Sequence, residues 1–205
     1  MAKSVDSQVR AKVWVTPEQV DQMRTAILQA SADYLAERND AMIALLYDAG
    51  LRVGELVAVD VEHLREQNAK IYLPTEIQKD YPNENSPPPK TLALASDTAR
   101  AVTTYLNTRW KDTDALFPSR SSDRITTQGV RNVVEKAAVE ADVRPYKVDG
   151  TRGNPEDVSP HALRHGVAYR MMNHESGNTL YDVRNRLRHR SIQTTEQIYD
   201  HIIEA

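Results

Sequence analysis

The segment at residues 75–89, TEIQKDYPNENSPPP, constrains the fold of this chain more than any other feature. It holds four prolines and two asparagines, which exclude a regular helix or strand, because proline lacks an amide donor and asparagine favours turns. The flanking segments AKIYLP (69–74) and KTLAL (90–94) have the apolar alternation of two short strands. We therefore expect a small β-hairpin with a long tip.

Helical patterns cover most of the remaining sequence. Thr16 is a helix cap followed by Pro17, with Gln19 in the position of a capping box, and Gly50 is a natural stop for a helix over 31–49. Further helices are expected at 52–58, 60–65, 97–109, 126–140, 160–173, 179–187 and 194–203. The predicted fold class is mostly α with a small β-hairpin insert (α+β). We expect residues 1–12 to form a flexible tail and residues 13–205 to form one domain.

Composition excludes several classes of function and leaves nucleic-acid binding open. The chain has no cysteine, which excludes disulfides, a cysteine-liganded zinc site and a thiol nucleophile. It has no apolar run of about 18 residues and no signal-peptide core, so we expect a cytoplasmic protein without a membrane partner. The net charge is only -3, but arginine outnumbers lysine 18 to 8, and residues 120–190 hold 13 basic against 9 acidic side chains. Arginine is the preferred side chain for bidentate phosphate contacts.

The stretch AGLRVGELVAVD (49–60) contains a first candidate site. Arg52 and Glu55 are spaced to share one helix face. Most such pairs are solvated ion pairs of small energy. Here the neighbours are apolar, which favours a guanidinium that a carboxylate aims rigidly at an anion.

The stretch VSPHALRHGVAYRMM (158–172) contains a second. Ser159 caps a helix whose first turns carry His161 and Arg164, and donors at a helix N-terminus favour phosphate binding. His161 and His165 also have the spacing of metal ligands, but the zinc-protease helix has glutamate after its first histidine and here Ala162 follows. Surface histidines with ordinary partners are the other alternative.

The stretch RNRLRHRSIQTTEQIYDHI (184–202) contains a third. Four arginines and a histidine fall within residues 184–190. Thr194 and Gln197 predict a capping box on a helix that carries Tyr199. A tyrosine here is usually a packing residue. As a nucleophile it would need its proton removed, because its ordinary pKa is near 10, and the surrounding basic groups would supply that environment.

The order and spacing of these stretches are more specific than any one of them. An Arg–x–x–Glu after AGL, a hairpin lysine, His–x–x–Arg–His, Leu–x–His and a tyrosine ten residues later resemble the catalytic domain of the tyrosine recombinases, the phage-integrase family. The resemblance runs from about residue 13 to residue 203. It implies that domain's fold and an enzyme that cleaves and rejoins DNA through a 3′-phosphotyrosyl intermediate, with no metal, ATP or other cofactor.

The resemblance also implies catalytic roles for five residues. Tyr199 would attack the scissile phosphate, and Arg52 and Arg164 would bind its non-bridging oxygens. His161 would accept the tyrosine proton or hydrogen-bond the phosphate, and His189 would donate a further hydrogen bond.

A hairpin lysine would be the sixth catalytic residue: Lys79 would protonate the leaving 5′-oxygen, with Lys90 as the alternative. Other residues would support these six. Glu55 would hold Arg52 in place. The arginines close to the tyrosine would contact the DNA backbone, namely Arg184, Arg186, Arg188 and Arg190.

Double-stranded DNA is the implied partner, with a monomer in solution and a tetramer on DNA. The sequence departs from the family at Arg188, where glycine is usual, and we expect no N-terminal DNA-clamping domain before residue 13. The leading hypothesis is an integrase or excisionase of a virus or mobile element, or a chromosome-dimer resolvase. The alternatives are a type IB topoisomerase, a non-catalytic DNA-binding module and a metal-dependent hydrolase built on His161 and His165.

Overall fold

The computed structural model describes residues 13–78 and 87–199. The predicted tail at residues 1–12 lies outside them. The helices are α1 (Pro17–Ala30), α2 (Asp33–Asp48), α3 (Val53–Ala58), α4 (Ser96–Thr108), α5 (Thr127–Glu140), α6 (Pro160–Asn173), α7 (Leu180–Leu187) and α8 (Ile192–Tyr199). The strands are β1 (Val13–Trp14), β2 (Leu64–Arg65), β3 (Lys70–Leu73), β4 (Lys90–Ala93) and β5 (Tyr146–Lys147). The mostly helical fold class with a small sheet insert is confirmed.

The predicted hairpin is formed by β3 and β4, which pair antiparallel with Ile71 opposite Leu92. The side chain of Gln78 donates hydrogen bonds to the carbonyls of Leu73 and Pro88, so it ties the two arms together beyond the strands. Residues 79–86 of the tip lie outside the described part of the chain.

The predicted helix at 60–65 is wrong. Val61–His63 make a single 3₁₀ turn, and Leu64 then enters β2 and pairs with Ile71. Nδ1 of His63 accepts a hydrogen bond from the amide of Asp60, which closes the turn. Pairing with β3 then competes successfully with a weak helical preference.

Helix α2 is the centre of the core and packs against α1, α4 and α6. Its residues 41–46 are almost completely buried, as expected of a helix that is apolar on every side. It ends at Asp48 and is followed two residues later by Gly50, whose φ of +59° lies in the left-handed region and whose missing Cβ leaves room for Leu187. The turn at Gly50 directs the chain into Arg52.

Helix α6 and the turn between α7 and α8 both contact the segment that follows α2. Ser159 caps α6 by accepting a hydrogen bond from the amide of Ala162, as predicted. The turn between α7 and α8 packs against the residues that follow α2, where the side chain of Leu187 lies directly beside Gly50.

None of the helices within residues 13–78 and 87–199 combines the length and the apolar character needed to cross a bilayer.

Candidate active site

Arg164 lies at the centre of the site. It is only 3% exposed. Its guanidinium donates hydrogen bonds to the carbonyls of Gly50 and Leu187. The side chain therefore joins α6 to the segment after α2 and to the end of α7.

Glu55 bridges two further arginines beside Arg164. Its Oε1 accepts a hydrogen bond from Nη1 of Arg52 at 2.8 Å, and its Oε2 accepts one from Nη2 of Arg188 at 2.7 Å. Oε2 also accepts the backbone amide of Arg52 at 2.8 Å. The carboxylate thus fixes the start of α3 and both guanidinium groups.

The charges in this cluster shift one another's pKa values. Burial alone would raise the pKa of the Glu55 carboxyl, but the three surrounding arginines outweigh it and lower that pKa. Burial, and then the positive charges of Arg52 and Arg188, lower the pKa of Arg164 to about 9. Because three guanidinium groups surround one carboxylate and arginine is not deprotonated in proteins, the cluster has a net positive charge that suits an anion.

Tyr199 lies against this cluster with its side chain buried. Its hydroxyl is 3.1 Å from Nδ1 of His165, and its ring stacks on His189 with centroids 5.7 Å apart and planes at 8°. Nδ1 of His189 is in turn 3.0 Å from the hydroxyl of Thr195. His161 meets the ring of His165 edge to face, with centroids 4.9 Å apart.

The same burial sets the protonation of Tyr199 and of the neighbouring His189. Burial raises the pKa of Tyr199 to about 12, although Arg164 and Arg52 act in the opposite direction. Burial, followed by the charges of Arg164 and Arg52, lowers the pKa of His189 to about 3. At neutral pH the site therefore holds a protonated tyrosine and a neutral histidine, so cleavage would need a base near the hydroxyl.

Comparison with known proteins identifies the family. The profile described as the phage integrase family matches residues 13–205. The chain belongs to the phage integrase family. Tyrosine recombinase XerC of Bifidobacterium longum (strain DJO10A) is 30% identical over 213 residues, which are 98% of this chain and 51% of that protein.

Solved structures agree in fold. The crystal structure of XerA recombinase superposes with a TM-score of 0.70 at 20% identity, over 94% of this chain and 61% of that one. The XerH site-specific recombinase bound to a palindromic difH substrate gives a TM-score of 0.69 at 18% identity, over 96% of this chain and 51% of that one. The tyrosine recombinase catalytic-domain fold is confirmed. The chain spans about half the length of the curated relatives it matches.

The structure brings together five of the six residues to which the integrase resemblance gives catalytic roles. Arg52, Arg164 and His161 all act on the pKa of His189, and His189 stacks on Tyr199. His161 is the exposed member of the group, at the N-terminal end of α6. Their roles in this integrase-family domain remain predictions.

The sequence predicts a catalytic lysine at Lys79, with Lys90 as the alternative. Lys79 is outside the described residues. Lys90 begins β4, opposite Leu73, with an exposed side chain.

The arginines around the tyrosine do not all face solvent as expected. Arg186 donates to the carboxylate of Asp48 at 2.6 Å and to the carbonyl of Ala93 at 2.8 Å. Arg188 is buried against Glu55. These two guanidinium groups are bound to the protein itself, and their assignment to the DNA backbone stays a prediction. Arg184 is half-buried and Arg190 is exposed, and both remain candidates for DNA contact.

Sequence reasoning missed two polar residues of the site. The sequence pattern offers His165 only as a metal ligand or a surface histidine, although its position next to Arg164 places it on the same helix turn as the site. Thr195, which is fully buried, gives no local signal. The predicted cap at Thr194 would place Thr195 at the first position of the helix. In the structure the amide of Thr194 donates a hydrogen bond to Oγ of Ser191, and α8 begins at Ile192.

Proposed function

We propose that this chain is the catalytic domain of a site-specific DNA recombinase that cleaves and rejoins DNA through a covalent bond to Tyr199. The observation that carries the proposal is the position of the Tyr199 hydroxyl, which is hydrogen-bonded to Nδ1 of His165 and lies beside a cluster of arginines with net positive charge. The double-stranded DNA partner is part of the same proposal.

The arginines supply the electrostatic part of the reaction. Arg52 and Arg164 bind the non-bridging oxygens of the scissile phosphate and stabilise the additional charge of the pentacoordinate transition state. Because these donors are held rigidly by Glu55 and by backbone carbonyls, they need little reorganisation when the phosphate arrives. Side chains thus provide the positive charge that the transition state requires.

Proton transfer completes the step. The Tyr199 hydroxyl passes its proton to a histidine as the oxygen–phosphorus bond forms, and the bond from phosphorus to the 5′-oxygen breaks. His165, with its proton on Nε2, accepts the hydroxyl hydrogen bond at Nδ1, while the exposed His161 donates to the phosphate. The 5′-oxygen leaves with a proton from a lysine, for which Lys79 and Lys90 are the candidates. Cleavage conserves the bond energy of the phosphodiester in the phosphotyrosyl ester, and rejoining reverses these transfers as the 5′-oxygen attacks the ester and Tyr199 leaves.

Substrate access requires a change at α8. The Tyr199 side chain is 1% exposed, so a phosphodiester cannot reach the hydroxyl in the arrangement described. We expect α8 to shift when DNA binds, which brings the hydroxyl to the phosphate between Arg52 and Arg164.

Covalent trapping tests this function. The protein is incubated in EDTA with a pool of nicked duplexes of random sequence and with supercoiled plasmid, and the mixture is denatured with detergent. We expect a DNA–protein adduct that Tyr199→Phe abolishes and that Tyr181→Phe retains, because Tyr181 is 60% exposed on α7. An adduct that persists in Tyr199→Phe, or no adduct on any DNA that the protein binds, would overturn the proposal.

The captured DNA separates a recombinase from a topoisomerase. Adducts confined to one sequence, together with strand exchange between two duplexes carrying it, are expected for a recombinase. Scattered adducts with plasmid relaxation would support the topoisomerase alternative, which no relative described above favours. Light scattering of the free protein and of its DNA complex tests the proposed monomer in solution and tetramer on DNA.

A further inference from the structure

Arg188 occupies a backbone position that favours glycine. It follows α7 with φ of 54° and ψ of 47°, in the left-handed region that side chains other than glycine seldom adopt. Its side chain is nonetheless 4% exposed. A long charged side chain is thus buried where a residue with no side chain would fit the backbone best, which indicates that the guanidinium has a function of its own.

The guanidinium of Arg188 connects the α7–α8 turn to the segment after α2. Nη2 donates to Oε2 of Glu55 at 2.7 Å and to the carbonyl of Gly50 at 3.1 Å. Nη1 donates to the carbonyls of Arg186 at 2.8 Å and Ala49 at 3.2 Å. Glu55 lies 133 residues before Arg188 in the sequence, so this contact exists only in the folded chain.

Arg188 shares an acceptor with each arginine that the proposed function places on the phosphate. It shares the Glu55 carboxylate with Arg52. It shares the carbonyl of Gly50 with Arg164. Any displacement of Arg188 therefore frees the groups that orient both of the others.

The charge of Arg188 is as important as its contacts. Without it, Glu55 would neutralise one of the other two guanidinium groups. With it, three guanidinium groups and one carboxylate have a net charge of +2, and the excess is available to an incoming phosphate.

We propose that Arg188 is a positioning residue for phosphate binding: it fixes the carboxylate and the carbonyl that aim Arg52 and Arg164, and it raises the net charge of their cluster. This inference rests on the proposed function. It gives the residue next to His189 a role through its neighbours rather than by contact with DNA. It also explains why the buried Glu55 takes two arginine partners.

Single-turnover cleavage by three variants tests the proposal. Arg188→Gly suits the backbone and removes the guanidinium, Arg188→Gln removes the charge but keeps amide donors, and Arg188→Lys keeps the charge. At saturating DNA we expect the cleavage rate constant to fall at least tenfold in the glycine and glutamine variants, with the Kd for DNA changed less than threefold. Lysine should recover part of the rate. Arg100→Ala, which removes an exposed arginine on α4, should match the unaltered protein.

Side-chain NMR of the arginine Nε–Hε groups provides a readout that does not depend on cleavage. We expect the Arg52 signal to shift and broaden in Arg188→Gly and Arg188→Gln, while the signal of the distant, buried Arg38 stays in place and reports an intact fold. If the unaltered protein forms no adduct, the proposed function fails, and the Arg52 signal alone decides the positioning role. An unchanged Arg52 signal in a folded glycine or glutamine variant, or an unchanged rate constant, would overturn the inference. If the glycine variant does not fold, the glutamine variant decides it.

Discussion

The hydroxyl of Tyr199 lies 3.1 Å from Nδ1 of His165, in a side chain that is almost wholly buried. A buried hydroxyl is costly without a partner, so this contact holds the proposed nucleophile in its resting position. It also places a proton acceptor at the atom that must lose a proton.

A double-mutant cycle measures this contact. Tyr199→Phe, His165→Ala and the double variant are compared by urea denaturation, and we expect each single change to lower the free energy of unfolding by about 1 kcal/mol or more. Because one hydrogen bond links the two side chains, we expect a coupling energy of about 1 kcal/mol between the changes. Strictly additive effects would show that the hydrogen bond does not form in solution.

Acid should destabilise the fold through His189. Burial and the neighbouring arginines lower its folded pKa to about 3 from an ordinary value of 6.5. Between these values the unfolded chain binds a proton that the folded chain does not, so the stabilisation is complete above pH 6.5 and is lost as the pH falls toward 3. The maximum slope is about 1.4 kcal/mol per pH unit.

His189→Gln isolates this contribution. The free energy of unfolding is measured by denaturant titration from pH 7 to pH 5, a range above the ordinary titration of carboxyl groups. We expect the variant to lose less stability than the unaltered protein over this range. Parallel curves would mean that His189 binds its proton in the folded protein over the same pH range as in the unfolded chain.

Removal of the shared carboxylate should be costly. Glu55→Gln leaves three buried or partly buried guanidinium groups without their counter-charge, and breaking a buried pair in this way costs about 3–5 kcal/mol. Urea denaturation measures the loss. Added phosphate should restore more stability to the variant than to the unaltered protein, because the anion can replace the missing charge.

An exposed ion pair is the matched control for that experiment. Glu66→Gln breaks a pair with Lys70 at the surface, and we expect a change below about 1 kcal/mol. Equal losses for the two variants would contradict the importance assigned to Glu55.

The turn after α2 should not tolerate a side chain. In Gly50→Ala the left-handed backbone costs about 1–2 kcal/mol, and the new Cβ would lie 2.5 Å from Cδ2 of Leu187. In Gly54→Ala, in α3, nothing lies within 4 Å of the new Cβ, and we expect a gain of about 0.5–1 kcal/mol. Thermal or urea unfolding of the two variants should therefore move in opposite directions, and movement in the same direction would count against the turn geometry.

Local signals made much of the fold predictable. The capping box of Thr16 and Gln19 forms as expected, because all of its donors and acceptors lie within four residues. The strands on either side of the proline-rich segment pair as expected, since the interruption between them leaves a hairpin as the simplest connection.

Elements that depend on a distant partner were missed or misplaced. The strands β1 and β5 have two residues each, too few for a pattern, and exist because residues 13 and 147 meet in space. The start of α8, by contrast, is set locally: the amide of Thr194 donates to Oγ of Ser191, so Ser191 rather than the predicted Thr194 precedes the helix.

The sequence by itself determined most of the helices and the hairpin, because caps, apolar spacing and the proline-rich interruption express these locally, and its resemblance to the integrase family pointed to five side chains that meet at the site. Only the tertiary structure decided which partner each charged side chain takes. The sequence places Arg186 and Arg188 among the DNA-contacting arginines. In the structure they bind Asp48 and Glu55, which lie more than 130 positions away in the sequence. The physical reason is that the role of a charge depends on the carboxylates, carbonyls and solvent around it, and the fold alone sets those surroundings.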